Sequence, residues 1–149
     1  MIRTIQGDSE IRDIDQLIDL IEKQMRFIGA NSSSEQIRKA INNISKNNRA
    51  LFWVKVSEAG DFCGFAFGNI GSGLETGADY LWINELYVVP ECRKKNIASE
   101  IINYIENWAK QNNIKYIALI ADQDNQKALK FYEKAGYEFS SLMWVDKTL

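Results

Sequence analysis

The sequence predicts a mixed α/β (α+β) fold, a central mixed sheet with helices on both faces, from three observations. Two stretches of helical apolar spacing come first, before any long strand-like run. A block of β-branched and aromatic residues follows, broken by a short polar turn. The chain then alternates strand, helix, strand, helix and strand, an order that sets a parallel βαβ pair beside antiparallel hairpins.

Residues 2–6 suit a short strand, and a turn at Gly7, Asp8 and Ser9 separates it from a helix with Ile14, Leu17, Ile18, Ile21, Met25 and Ile28 on one face. The segment 29–34, GANSSS, ends that helix and caps a second, whose stripe is Ile37, Ala40, Ile41 and Ile44. Residues 50–56 and 62–70 read as a hairpin around the polar turn 57–61. Residues 71–77 read as a flexible glycine-rich loop, and 80–89 as a long strand closed by Pro90, the single proline. Ile97, Ile101, Ile102, Ile105, Trp108 and Ala109 mark a helix to Lys110, and 116–120 a short strand buried on both faces. A last helix over 125–135 stops at Gly136, and 137–145 returns as a terminal strand. One domain, 1–149, holds these elements, at a length where roughly two thirds of the unfolded surface is buried.

Charge and composition narrow the function classes. Lys and Arg number 18 against 20 Asp and Glu, a net charge of −2, so no global positive field holds a nucleic acid backbone. With no histidine, Ser-His and Cys-His nucleophilic pairs and His-containing zinc sites are excluded. Cys63 and Cys92 are too few for a disulfide framework or a four-cysteine zinc site and fit a reducing compartment. No apolar run reaches the roughly 18 residues of a membrane span, and the start lacks the apolar core of a signal peptide. We therefore expect a soluble cytoplasmic protein with no metal and with neither nucleic acid nor membrane as partner.

The segment 85–98, ELYVVPECRKKNIA, runs from a strand through a basic turn into a helix. The first N–H groups of that helix lack intrahelical acceptors and favour an anion, and Arg93, Lys94 and Lys95 stand beside them. Taken alone, such a triplet is more often a solvated turn. The segment resembles the acyl-CoA signature Q/R-x-x-G-x-G/A of the GNAT superfamily of N-acyltransferases, with Arg93 first, Asn96 in the usual glycine place and Ala98 last. Asn enters the left-handed region more readily than other non-glycine residues, so the departure at Asn96 is expected to weaken cofactor binding rather than abolish it. A second segment, 125–137 (NQKALKFYEKAGY), is similar at every fixed position to the GNAT pattern N-x-x-A-x-x-F/L-Y-x-K-x-G-F/Y. The resemblance spans roughly residues 50–140 and is strong only over 85–137.

That resemblance implies a sheet whose parallel pair splays into a V to admit acetyl-CoA as co-substrate. It implies that N–H groups of Lys94, Lys95, Asn96, Ile97, Ala98 and Ser99 wrap the pyrophosphate, with Arg93, Lys94 and Lys95 adding charge. Leu86, Tyr87 and Val88 would bond the pantetheine amides through their backbone, Val88 would hold the developing oxyanion, and Asn125 would contact the cofactor. Tyr132 would protonate the leaving thiolate, against the plain reading of a core tyrosine.

Amide formation needs a neutral amine, and Glu85, a charge in an otherwise largely apolar strand, is the leading proton acceptor; an edge or lysine-paired glutamate is the other reading. Glu75 and Asp79 are weaker substitutes, and they suit a cationic acceptor. Trp53, Tyr80, Trp82 and Trp144 read mainly as packing and secondarily as an acceptor pocket. The acceptor we expect is a small primary amine of aminoglycoside or polyamine type. A protein N-terminus or lysine is the alternative enzyme reading, and a non-catalytic acyl-CoA module the alternative class. A homodimer paired through the C-terminal strand follows by analogy alone.

Overall fold

The computed structural model describes residues 1–6 and 14–149, so the turn expected at 7–9 lies outside the described residues. The strands are β1 (Ile2–Gln6), β2 (Ala50–Val56), β3 (Phe62–Gly73), β4 (Ala78–Val88) and β5 (Ile117–Leu119), and they lie in the sheet in that order. β1 to β4 pair antiparallel, and β5 joins β4 in parallel. The helices are α1 (Ile14–Phe27), α2 (Ser34–Ser45), α3 (Ile97–Gln111) and α4 (Gln126–Lys134). No helix among the described residues is long and apolar enough to cross a membrane.

The sheet is covered on both sides, as its apolar runs require. One face packs Phe52, Val54, Phe65 and Tyr87 against Leu17, Ile18 and Leu20 of α1 and Ile37 and Ile41 of α2. The other packs Leu51, Trp53, Leu81 and Ile83 against Ile97, Ile101, Ile102 and Ile105 of α3 and Tyr132 of α4. β2 shows the division residue by residue, with Leu51 and Trp53 on one side and Phe52 and Val54 on the other. α2 starts with a capping box in which Ser33 and Gln36 bond each other's backbone N–H.

Two expected segments take a different form. The loop expected at 71–77 is in part ladder, since pairing continues through Gly71↔Tyr80 to Gly73↔Ala78 and only 74–77 form the turn. Gly71 is there for space: a Cβ would stand 2.3 Å from Cζ of Tyr80, whose ring lies over it. The terminal strand expected at 137–145 is absent, and Leu142, Met143, Trp144 and Val145 are exposed. Strand propensity measures fit to a pleated, half-buried surface, and the run 142–145 does not alternate, so no single face gathers its apolar side chains. Without that neighbour β5 is an edge strand, half-buried where burial on both faces was expected.

Candidate active site

β4 carries the site because its two halves face opposite ways. Leu81 and Ile83 point into the α3 core, whereas Tyr87 and Val89 point into the α1 core, although all four are odd-numbered. The inversion comes from a β-bulge: Phe67 pairs with Glu85 and Gly68 with Ile83, so Asn84 is an extra residue in β4. Its side chain is held by Asn69, whose Nδ2 donates to Asn84 Oδ1 at 2.6 Å. The bulge turns Glu85 toward α1.

At the same place the parallel pairing stops. β5 pairs with β4 only from Leu81↔Ile117 to Ile83↔Leu119, while β4 continues to Val88. The Val89 N–H donates to Cys63 O at 3.0 Å, so by antiparallel alternation Tyr87 also turns its backbone groups to β3. The N–H and C=O groups of Leu86 and Val88 turn the other way, to the edge that β5 has left. Of the three strand residues expected to offer backbone groups, Leu86 has both on that edge, Val88 has its N–H there with its C=O taken by Arg93, and Tyr87 turns away.

Beyond β4, a 3-10 turn (Pro90–Cys92) leads to the basic residues. Lys94 (φ 60°) and Asn96 (φ 61°, ψ 13°) are both left-handed. Asn96 therefore takes the conformation that glycine tolerates best, and as N-cap it gives no side-chain hydrogen bond to α3. Its carbonyl accepts from Glu100 at 3.0 Å, leaving the N–H groups of Ile97, Ala98 and Ser99 without helical acceptors. Ile97 is buried and offers backbone alone, whereas Lys94 and Lys95 are exposed. Arg93 is engaged elsewhere. Its Nε donates to Val88 O at 2.9 Å, and its guanidinium carbon lies 4.7 Å from the Phe27 ring centroid and 5.7 Å from that of Tyr87.

Tyr132 is 8% exposed in the α3/α4 core, edge-on to Phe131 and Tyr137, with Leu86 and Val88 packed against the same core. Burial pushes its phenol up to about 12, so the hydroxyl stays protonated at neutral pH. Burial is the one influence on that hydroxyl, while the hydroxyl of the neighbouring Tyr137 is buried without a hydrogen-bond partner. Asn125 caps α4, its Oδ1 accepting from Ala128 N at 3.1 Å, which leaves its amide nitrogen available.

Glu85 is half-buried on the opposite face, where its Oε2 accepts a hydrogen bond from Gln24 Nε2 of α1. Burial pushes its carboxyl above the ordinary glutamate range, and the Gln24 bond pulls it part of the way back. Tyr80 and Trp82 lie half-buried along the same side of β4. Trp53 is fully buried against Trp108 and Trp144 is 69% exposed, so neither joins them. Asp79 is taken by Arg49 at 2.8 Å and Ser72 at 2.9 Å, which hold its carboxyl below the usual range, and Glu75 is exposed in the hairpin turn.

Sequence reasoning missed Gln24 and the bulge. Gln24 had a signal, a polar residue seven positions after Leu17 on an apolar stripe. The bulge at Asn84 had none.

A family model described as the Acetyltransferase (GNAT) family matches residues 14–137. The chain is 36% identical over 56 residues to the uncharacterized N-acetyltransferase YhfO of Bacillus subtilis (strain 168), a stretch covering 38% of each protein. It thus matches well under half of that relative's length. Three solved structures share the fold. An aminoglycoside acetyltransferase, meta-AAC0020 from an uncultured soil metagenomic sample, solved with sisomicin, has a TM-score of 0.82 at 17% identity, covering 100% of this chain and 95% of that one. A ribosomal-protein-alanine N-acetyltransferase from Brucella melitensis biovar Abortus 2308 has a TM-score of 0.79 at 17% identity, covering 99% of both chains. The aminoglycoside N-acetyltransferase AAC(6')-Iy in complex with CoA has a TM-score of 0.81 at 15% identity, covering 99% of this chain and 93% of that one.

Proposed function

Since the chain belongs to the Acetyltransferase (GNAT) family, we propose that it transfers an acetyl group from acetyl-CoA to a primary amine of a small molecule, of aminoglycoside or polyamine type. The observation that carries this reading is the edge that β5 leaves open at Leu86 and at the Val88 N–H, which leads directly into an α3 start without a side-chain cap. A long polyamide ending in a pyrophosphate needs that sequence of donors: strand amides first, then a convergent cluster of N–H groups. The N–H groups from Lys94 to Ser99 take the pyrophosphate, and the Lys94 and Lys95 ammonium groups add charge. Arg93 shapes the turn by bonding Val88 O, and its charge contributes from farther off. The free amide nitrogen of Asn125 adds a donor at the start of α4.

The two faces of β4 then divide the reaction. Glu85 takes a proton from the amine, which frees the nitrogen lone pair to attack the thioester carbonyl. The Val88 N–H stabilises the charge that develops on the carbonyl oxygen. As the C–N bond forms and the C–S bond breaks, the sulfur keeps the bonding pair, and the Tyr132 hydroxyl donates to it. A phenol at about 12 is a weaker acid than an ordinary thiol near 8.5, so Tyr132 acts first as a hydrogen-bond donor. It gives up its proton fully only as the thiolate loses water too. The attacking nitrogen gives up its second proton, which replaces through solvent the one lost by Tyr132; the products are the N-acetyl amine and CoA thiol, and Glu85 releases its proton to solvent.

A small amine is favoured by the acceptor side of β4, where the aromatic surfaces of Tyr80 and Trp82 adjoin a half-buried carboxylate. A release assay for CoA thiol tests this reading with kanamycin, spermidine and an alanine-started peptide. Turnover with the first two supports it, and turnover with the peptide alone moves the acceptor to protein N-termini. Tight acetyl-CoA binding without turnover on any of them makes the chain a binding module. We further propose a cytoplasmic setting and a homodimer involving the exposed run 142–145, the latter read by light scattering.

A further inference from the structure

We infer that Gln24 is a positioning residue that holds the Glu85 carboxylate toward the acceptor amine. This rests on the reading of Glu85 as the proton acceptor, and it goes beyond that reading by assigning a part to α1.

Gln24 is 4% exposed and is the buried polar side chain of the core among the described residues. The stripe it belongs to holds Leu17, Leu20, Ile21 and Met25, so an apolar residue would continue it. Its Nε2 donates to Glu85 Oε2, while its Oε1 is buried without a hydrogen-bond partner. A buried amide with its oxygen unmet costs stability. Packing alone therefore gives no reason for glutamine at this position, whereas the bond to Glu85 does.

Two devices bring these groups together. The extra residue Asn84 turns Glu85 from the α3 face to the α1 face. At the end of α1, one turn beyond Gln24, the Phe27 ring lies 6.1 Å from that of Tyr87, with the Arg93 guanidinium over both. That stack clamps α1 to β4 beside the Gln24 contact. With Oε2 occupied, Glu85 presents its Oε1 to the acceptor.

The surroundings make the amide the main polar influence on the carboxylate. α1 contributes Gln24, β3 contributes Phe67 opposite Glu85, and β4 contributes Tyr87 two residues on. The turn contributes Arg93, spread over the Tyr87 ring. Among the described residues the Gln24 N–H is thus the neutral donor that offsets desolvation of Glu85. A merely structural glutamine would lose packing or stability when replaced, and it would leave the titration of Glu85 unmoved.

The test is Gln24→Met, which keeps length and helix propensity but removes the amide, with Gln24→Leu as a second apolar replacement. The Glu85 carboxyl is titrated by 13C NMR of the labelled protein, its resonance assigned by loss in Glu85→Gln, and acetyl-CoA affinity is measured by calorimetry. We expect Tm unchanged or raised, acetyl-CoA affinity unchanged, and the Glu85 pKa raised by about one unit. The acidic limb of kcat/KM with the best panel amine should move up by the same amount. A Glu85 pKa equal in wild type and both variants overturns the inference. Failure of the underlying reading looks different: Glu85→Gln would keep the wild-type acidic limb, whatever Gln24→Met does.

Discussion

The two faces of the second half of β4 are built from different materials. Toward α3 and α4 the candidate site consists of backbone and apolar packing: the edge groups of Leu86, the Val88 N–H, the left-handed Asn96, the first amides of α3, and Tyr132 in a core. Toward α1 it consists of side chains placed by tertiary structure: Glu85 turned by a bulge, Gln24 beneath a helix, and Arg93 stacked on Phe27 and Tyr87. On the proposed function, a cofactor with a fixed pyrophosphate would be met by local geometry that short motifs encode, and an acceptor amine by contacts between elements remote in sequence. Changes on the first face should therefore be read in acetyl-CoA affinity, and changes on the second in rate.

The largest expected effect lies on the acceptor face. Glu85→Gln should lower kcat by about 10²- to 10⁴-fold with acetyl-CoA affinity intact, measured by steady-state kinetics beside calorimetry. A loss of affinity instead would collapse the division of labour. Next comes the cofactor face. Asn96→Val puts a β-branched residue at φ 61° and should weaken acetyl-CoA binding by roughly 10- to 100-fold, whereas Asn96→Gly should hold or tighten it. Equal affinities for all three proteins would remove the left-handed turn from the site.

Smaller still, Tyr132→Phe should lower kcat by about tenfold with Tm nearly unchanged, because burial is the one influence on the lost hydroxyl. A large fall in Tm would return Tyr132 to a structural role. The smallest effect is on the pH dependence of stability. Folding raises the Glu85 carboxyl, so the folded state binds the extra proton, and that contribution is present below the ordinary glutamate range. It is lost as pH rises through the raised value. Glu85→Gln should remove this decline, seen as a flatter profile of Tm against pH on the alkaline side of that window.

How much the sequence reveals follows the same division. The βαβ unit and the turn that starts α3 were legible because their signals are local: Pro90 closes a strand, Asn96 precedes an apolar stripe, and Asn125 caps α4. The expected burial stripe of α3 appears as drawn, since a helix reports its buried face at a fixed period, whereas in α1 Ile28 is exposed and Leu20 and Gln24 are buried in addition, and in α2 Ala40 is exposed. The face of Glu85 was not legible. Alternation along β4 puts it with Leu81 and Ile83, and one inserted residue reverses the assignment. Tyr87 was expected to offer its backbone and instead gives it to β3, a question of register. The strand expected at 137–145 failed because propensity does not supply a partner ladder.

The central claim is that the free edge of β4 and the start of α3 form one continuous acetyl-CoA site. Backbone amide NMR during titration with acetyl-CoA tests it most directly. The largest shifts are expected at Leu86, Val88 and the amides of 94–99, with smaller changes at Asn125 and Tyr132 and little change at Gln24. Saturable binding that leaves Val88 and 94–99 unmoved, or shifts centred on β1 and α2, would contradict it.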